Sequence, residues 1–299
     1  MPSVQKSYEQ EKGGALYLVP TPIGNLEDMT LRALKVLQTV DYVACEDTRQ
    51  TLKLLNHFQI KQRLVSYHEH NKREKGEKLL ADLKEGKRIA LVSDAGMPAI
   101  SDPGQELVRL AVEAQIPVIS LPGANAALTG LVASGLSTRH FLFYGFLPRK
   151  AGERKKELLH LSSLPYTLLF YVAPHHLADT LGDMVDVLGR REAVLVKEIS
   201  KRHEQYVRGD LAELSMWVKK EEIRGEYMLV VQGNELGQAA SEEAWWQAMS
   251  LVQHVEHYVR QGLKPSEAIK RTAQDRGLPK REVYQQYHGL GGQGESSSC

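Results

Sequence analysis

Short apolar runs alternate along this chain with segments whose apolar residues recur at helical spacing. ALYLV, at Ala15–Val19, is an uninterrupted run of strand length; past the turn TPIGNLED, Leu31, Leu34 and Leu37 predict a helix over Met29–Thr39. The unit then repeats. DYVACEDT predicts strand and turn before a helix over Thr51–Phe58, and RLVSYHEH predicts a strand before a charged amphipathic helix over Lys72–Lys84 that Gly86 closes. RIALVSDAG, a helix over about Gln105–Ala114, then PVISLPGA and another helix bring the count to five strands, and this alternation argues for a parallel sheet. The uncharged stretch Ile116–Ser137 is long enough to suggest a membrane span, but Pro122, Gly123 and Asn125 break it, so it reads as strand, turn and helix.

A second α/β set follows: HFLFYGFLP, YTLLFYVAP, a helix near His176–Leu188, EAVLVKEIS and finally EYMLVVQG. Beyond it, the pattern from Ser241 to His288 is helical only, with Leu263–Gln274 and Lys280–Tyr287 separated at Gly277 and Pro279. The organisation expected is therefore a flexible leader (1–13), an N-terminal α/β domain (14–137), a second α/β domain (138–236), a helical appendix (240–290) and a small polar tail (291–299).

The 299 residues suit two domains plus an appendix, and 42% hydrophobic with 25% charged residues is ordinary for a globular protein. With 38 basic against 37 acidic residues, global charge gives no argument for a polyanionic partner, so any nucleic-acid contact must be local. Cys45 and Cys299 support neither a disulfide framework nor a multi-cysteine metal site, and a reducing cytoplasm fits them best. The leader has no apolar core of signal-peptide type.

The candidate chemistry collects in the loops that follow strands. Gly24 in TPIGNLED lies where backbone amides could meet an anion, although an ordinary strand-to-helix turn explains it too, and the loop is not a GxGxxG dinucleotide motif. EDTRQT clusters carboxylates, hydroxyl and guanidinium past a strand end, and capping by Asp47 or Thr48 is the competing explanation. SDAGMPAISDPG, Ser93–Gly104, is too long for a minimal connection and reads as a binding loop. There Asp94 and Asp102 could bond ribose hydroxyls or attract a sulfonium, while Gly96 admits close backbone approach. LPGANAALTG could lie flat against a ligand or simply pack tightly on the sheet. The adjacent His175 and His176 lack metal-site spacing. Basic density peaks at RKAGERKK, which supplies Arg149, Lys150, Arg154, Lys155 and Lys156 as RNA-binding candidates; the appendix adds Lys280 and Arg281, with Tyr284 and Tyr287 available for stacking.

In order, the TPIGNLED, EDTR, SDAGMPAISDPG, LPGANA, YGFLP, KEISKRHE and RGE blocks resemble the tetrapyrrole-methylase superfamily of S-adenosylmethionine enzymes, from about Ala15 to Asn234. SDAGMPAISDPG, YGFLPRK and the appendix are similar to its branch acting on ribosomal RNA. The resemblance implies two α/β domains with the cofactor in the cleft between them, a homodimer, no metal, and 2′-O-methylation of a cytidine in the decoding region of 16S rRNA, within naked rRNA or the 30S subunit. It further implies that Pro22, Gly24, Asp94, Ala95, Gly96, Met97, Pro98, Asn125, Ala126, Val172 and Ala173 line the cofactor pocket. Lys197 is nominated as a lysine base neutralised by burial, with Asp47, Glu204, Arg49 and Arg202 as orienting or RNA-positioning groups. The competing classes are a small-molecule methylase of tetrapyrrole type and a non-catalytic RNA-binding protein. The first loop, poorer in glycine than in corrin methylases, and the appendix count against a corrin substrate.

Overall fold

The computed structural model describes residues 4–6, 13–234, 246, 249–260 and 263–289; the rest of the expected leader, the start of the appendix at Ser241 and the tail 291–299 lie outside the described residues. The chain divides into two units, residues 1–233 and 234–299.

In the first unit, β1 (Ala15–Leu18), β2 (Tyr42–Cys45), β3 (Leu64–Ser66), β4 (Arg88–Val92) and β5 (Val118–Ser120) form a sheet in the order β3-β2-β4-β1-β5, with every pair parallel. The central strands are apolar on both faces because helices cover both. On one face α1 (Leu31–Thr39) and α2 (Thr48–His57) bring Ala33, Leu37 and Leu55 onto Tyr17, Val43 and Ala90. On the other, α3 (Lys72–Lys84) and α4 (Gln105–Glu113) bring Leu79, Leu83 and Leu107 onto Leu16, Ile89 and Leu91. Helix starts match the sequence where a cap exists: Thr30 accepts from the Ala33 amide, and Asp47 from that of Arg49. The cap moves the start of α2 three residues ahead of the expected Thr51. Within the leader, the Gln5 side-chain amide bonds both backbone groups of Val118 on the edge strand β5, at 2.9 and 3.0 Å.

A second sheet combines β6 (Phe141–Phe146), β7 (Thr167–Val172), β8 (Glu192–Lys197), β9 (Gln205–Asp210) and β10 (Tyr227–Val231) in the order β6-β7-β10-β8-β9. Only β6 and β7 run parallel; the other three pairings are antiparallel. The sequence pattern indicates four of these strands. The fifth, β9, reads as part of a charge run because an edge strand tolerates polar and charged residues on its open side. On the outer face, α6 (Ala151–Leu161), α7 (Leu177–Leu188) and α8 (Leu211–Val218) pack on Leu168, Phe170, Leu195 and Leu229. The inner face receives α5 (Ala126–Ser134) from the first half of the chain, whose Ala127 and Leu131 meet Leu169, Val196 and Met228. Contact is so close at Gly130 that an added Cβ would sit 2.8 Å from the Met228 sulfur.

α8 begins with a reciprocal capping box, in which the Asp210 carboxylate accepts from the Glu213 amide and the Glu213 carboxylate from the Asp210 amide, both at 2.9 Å. Asp210→Ala should therefore cost about 1 kcal/mol of unfolding free energy. Urea denaturation checks this, and an unchanged midpoint would remove the box from the account.

The second unit holds α9 (Leu251–Arg260), α10 (Pro265–Arg276) and α11 (Lys280–Tyr287) around Val255, Ile269, Ala273 and Val283. Gly277, at φ 63°, ends α10 in the left-handed conformation that glycine adopts without a Cβ penalty. Among the described residues no helix is long and apolar enough to cross a membrane.

Candidate functional site

The carboxyl ends of β1, β4 and β5 open toward the inner face of the second sheet, the place where open parallel sheets bind ligands. Between them lies a cavity of 330 Å³, lined by Gly96, Met97, Asp102, Asn125, Ala126 and Tyr171 among others. The loop after β1 and the loop after β4 are stitched together: Thr21 and Gly96 exchange both backbone hydrogen bonds, at 2.9 and 3.0 Å, and the buried Thr21 hydroxyl donates to the Ser93 carbonyl. Gly96 holds φ at 79°, where an added Cβ would also press to 3.2 Å from Ile23. Further along the same loop Ala99 and Ser101 stand at φ 66° and 61°, left-handed conformations that non-glycine residues seldom adopt outside functional loops. Asn125 caps α5 by accepting from the Leu128 amide at 3.0 Å, which aims the helix N-terminus at the cavity mouth.

A wider cavity of 630 Å³ adjoins the first, sharing Ile23, Ala95 and Glu226, and contains Pro22, Gly24 and Asp94. Gly24 is needed because an added Cβ would fall 2.2 Å from Lys201 Cγ and 3.0 Å from the Ile199 carbonyl oxygen. Lys201 in turn bridges Glu198 and Glu226 at 2.9 Å each, and the Ser200 hydroxyl donates to Asp28, so the segment after β8 clamps the first loop.

Of the expected cofactor residues, Ala95, Gly96, Met97, Asn125, Ala126, Val172 and Ala173 come together around the smaller cavity. Pro22, Gly24 and Asp94 border the wider one, and Pro98 is buried in the loop without lining either.

The nominated catalytic residues fare differently. Lys197 follows Val196 in β8, and strand alternation puts it on the outer face with Leu195 rather than on the cavity side with Val196. There its ammonium lies 5.8 Å from the centroid of the ring of Tyr227, a residue that lines the cavity, while Lys197 itself does not line it. Asp47 spends its carboxylate on the α2 cap and on Arg49, whose hydrogen bonds hold it below the usual carboxylate range and make it a poor proton acceptor. Glu204 accepts from the Ser200 amide at 2.6 Å and braces a turn on the surface. Arg154 is the clear correction among the basic candidates. It is buried, 4% exposed, bonds Asp183 and the Arg149 carbonyl, and is not a surface cation, because α6 turns it inward. Lys155 pairs with Asp183 and Asp186, whereas Arg49, Arg149, Lys150, Lys156 and Arg202 are exposed; Lys280 and Arg281 are exposed at the start of α11.

Several lining residues escape sequence reasoning: Ile23, Phe146, Tyr171, Ile199, Glu226 and Met228. Strand alternation could have marked Tyr171 and Met228, since both share the inner-face parity of Leu169 and Val230. Asp102 is the unusual member of the set. Its partial burial beside Glu46 and Asp94 pushes its carboxyl up to about 6 despite a hydrogen bond from Ser93. Burial also raises Glu46, and burial together with the nearby Asp102 charge raises the Tyr171 phenol. Among the described residues no group of three or more His, Cys, Asp or Glu side chains is arranged to hold a metal ion.

Comparison with known proteins matches residues 15–215 to the family described as Tetrapyrrole (Corrin/Porphyrin) Methylases. The ribosomal RNA small subunit methyltransferase I of Halalkalibacterium halodurans is 54% identical over 285 residues, 95% of this chain and 98% of that protein. Its Bacillus subtilis counterpart is 52% identical over 92% of this chain and 94% of that protein. Among solved structures, a uroporphyrin-III C-methyl transferase from Thermus thermophilus complexed with S-adenyl homocysteine superposes with a TM-score of 0.54 at 22% identity, covering 75% of this chain and 99% of that one. A diphthine synthase gives 0.57 at 15% identity, covering 77% and 95%. These two likenesses speak to the fold alone.

Proposed function

The chain belongs to the tetrapyrrole methylase family and, within it, to the ribosomal RNA small subunit methyltransferase I group, and we propose that it transfers the methyl group of S-adenosylmethionine to the 2′-hydroxyl of a cytidine in the decoding region of 16S rRNA. The observation that carries this reading is near full-length identity to that group in a chain whose inter-sheet cavity suits the cofactor.

The fit is chemical. Met97, Ala126 and Val172 offer apolar walls to a purine, and among the described residues Asp102 and Glu226, the latter paired with Lys201, are the carboxylates that line the cavity. When bound, the cofactor supplies an electrophilic methyl on a sulfonium. The chain's own work is to align the attacking oxygen with that methyl, exclude water and take up a proton. The exposed Arg49, Arg149, Lys150, Lys156 and Arg202 are proposed phosphate contacts of the first unit, and Lys280 and Arg281 of the second. Self-association as a homodimer is proposed through the open apolar side chains Val132, 74% exposed, and Leu128 on α5.

The test is transfer of labelled methyl from S-adenosylmethionine to 30S subunits lacking the modification, with alkali-resistant positions mapped in the 16S rRNA. Label at one decoding-region cytidine is expected, together with a rise in the protein's Tm on adding cofactor. Label on a porphyrinoid instead, followed by absorbance, would turn the assignment to a small-molecule methylase; no Tm rise and no transfer would leave an RNA-binding protein.

A further inference from the structure

We propose that the groove between α3 and the edge strand β3 is a further RNA-anchoring site, where Arg63, Lys75 and Lys78 grip the phosphate backbone of the rRNA away from the point of methyl transfer. The inference rests on the rRNA reading proposed above. The groove is a hollow of 190 Å³ whose charged lining is three cations, Arg63, Lys75 and Lys78, against one acid, Asp82. That acid is already engaged. The Lys87 ammonium donates to one of its oxygens and the Tyr42 phenol to the other, both at 2.6 Å, and these bonds hold its carboxyl below the usual carboxylate range. The cations have no such partner: among the described residues Arg63, Lys75 and Lys78 form no salt bridge, and the nearby acids of α3, Glu74 and Glu77, do not line the hollow. In a chain whose formal charge is only +1, this surplus is local.

The geometry selects a phosphate over other ligands. Lys75 is half-buried, and an ammonium that has lost part of its water without gaining an anion is stabilised when one arrives. Arg63, on the strand side, lies over the Tyr42 ring with its guanidinium carbon 5.5 Å from the centroid, which steadies the planar fork at the lip of the groove. Leu64 belongs to the same edge strand, whose outer side pairs with no strand, so main-chain N–H groups there add further donors. The hollow is smaller than the cavities that enclose whole cofactors or nucleotides, and Tyr42 is buried beneath Arg63, leaving no ring face on which a base could stack. What fits is the sugar-phosphate backbone, read without regard to sequence. Place in the fold gives the role. Tyr42 and Arg63 stand at the amino ends of β2 and β3, whereas the cofactor cavity opens at the carboxyl ends of the same sheet, so this contact adds affinity for a large substrate and takes no part in the chemistry.

The test is the double substitution Lys75→Ala with Lys78→Ala, assayed on full-length protein with 30S subunits lacking the modification. Its KM and Kd for the subunit should rise ~10-fold, and the slope of log Kd against log salt concentration should become shallower by about 1. Its kcat should move by less than twofold, and its Kd for S-adenosylhomocysteine should stay at the wild-type value. Lys78→Arg should keep wild-type affinity, and Lys84→Ala, an exposed cation on the same helix outside the groove, should leave the salt slope unchanged. Arg63→Gln, which acts from the strand, should reproduce the shallower slope and keeps the test decisive if the double variant unfolds. An unchanged slope and KM in a folded variant would overturn the proposal. So would a fall in kcat equal to the rise in KM, which would tie the groove to the transfer step. A third contrary result is unchanged subunit binding with a Tm rise in inorganic phosphate that only the wild type shows, which would make the groove a site for a small free anion. If the wild-type chain transfers no methyl to 30S subunits, the rRNA reading falls and takes this inference with it; an active wild type beside variants of equal KM and salt slope defeats this inference alone.

Discussion

Ala126→Trp is expected to weaken cofactor binding by ~100-fold or more while leaving the fold intact. Ala126 is the first residue of α5, partly exposed, and borders the 330 Å³ cavity together with Met97 and Gly96. An indole at this position enters the space that the adenosyl and methionyl groups would share, and the cavity cannot widen cheaply around it. On one side the loop is pinned by the two Thr21–Gly96 hydrogen bonds, and on the other Ala127 and Leu131 lock α5 against Leu169 and Met228. The Kd for S-adenosylhomocysteine should rise by ~100-fold or more, about 2.8 kcal/mol at 1.4 kcal/mol per tenfold. The Tm of the ligand-free protein should move by only a few degrees, since Ala126 is only partly buried, at the margin of the layer that Ala127 and Leu131 hold. Calorimetric titration and thermal denaturation of the same preparation check both halves. An unchanged Kd would put the cofactor elsewhere, with the wider cavity around Pro22 and Asp94 the next place to look.

This prediction was reachable from sequence only in part. The parallel sheet announces itself because its strands are apolar on both faces and bounded by turn residues, so five short runs and their intervening helices are visible without coordinates. SDAGMPAISDPG and LPGANA stand out for the same reason, as loops too long or too rich in small residues for simple connections. What periodicity could not supply is orientation at strand ends. Lys197 and Val196 are neighbours in sequence, yet one faces the helical layer and the other the cavity, and the choice depends on the register of β8 against β10. Arg154 misled for a related reason. Within RKAGERKK every cation looks alike, and only the docking of α6 on α7 decides which one is turned inward. The strand β9 was hidden because an edge position removes the apolar signature on which strand recognition depends.

Arg154 supplies the second large expected effect, on stability rather than chemistry. Its guanidinium meets the Asp183 carboxylate at 2.6 Å and also donates to the Arg149 carbonyl at 2.9 Å, with the arginine side chain 4% and the aspartate side chain 12% exposed. Truncation to alanine leaves Asp183 buried with Lys155 alone, at 3.3 Å, and opens a gap beneath α6. Removing one partner of a buried pair typically costs about 3–5 kcal/mol because the other charge loses its compensation. In a unit of this size that corresponds to a fall in Tm of roughly 10 °C. The double substitution Arg154→Met with Asp183→Leu should recover much of the loss, since two apolar residues of similar volume remove the uncompensated charge along with the pair. Lys156→Ala, two positions away and exposed, should leave Tm within a degree or so and weaken binding to 30S subunits in a salt-dependent way. Thermal denaturation of the four proteins, with subunit binding at two salt concentrations, separates the roles. A stable Arg154→Ala that loses only affinity for the subunit would make Arg154 a phosphate ligand after all, one that reaches the RNA through rearrangement of α6.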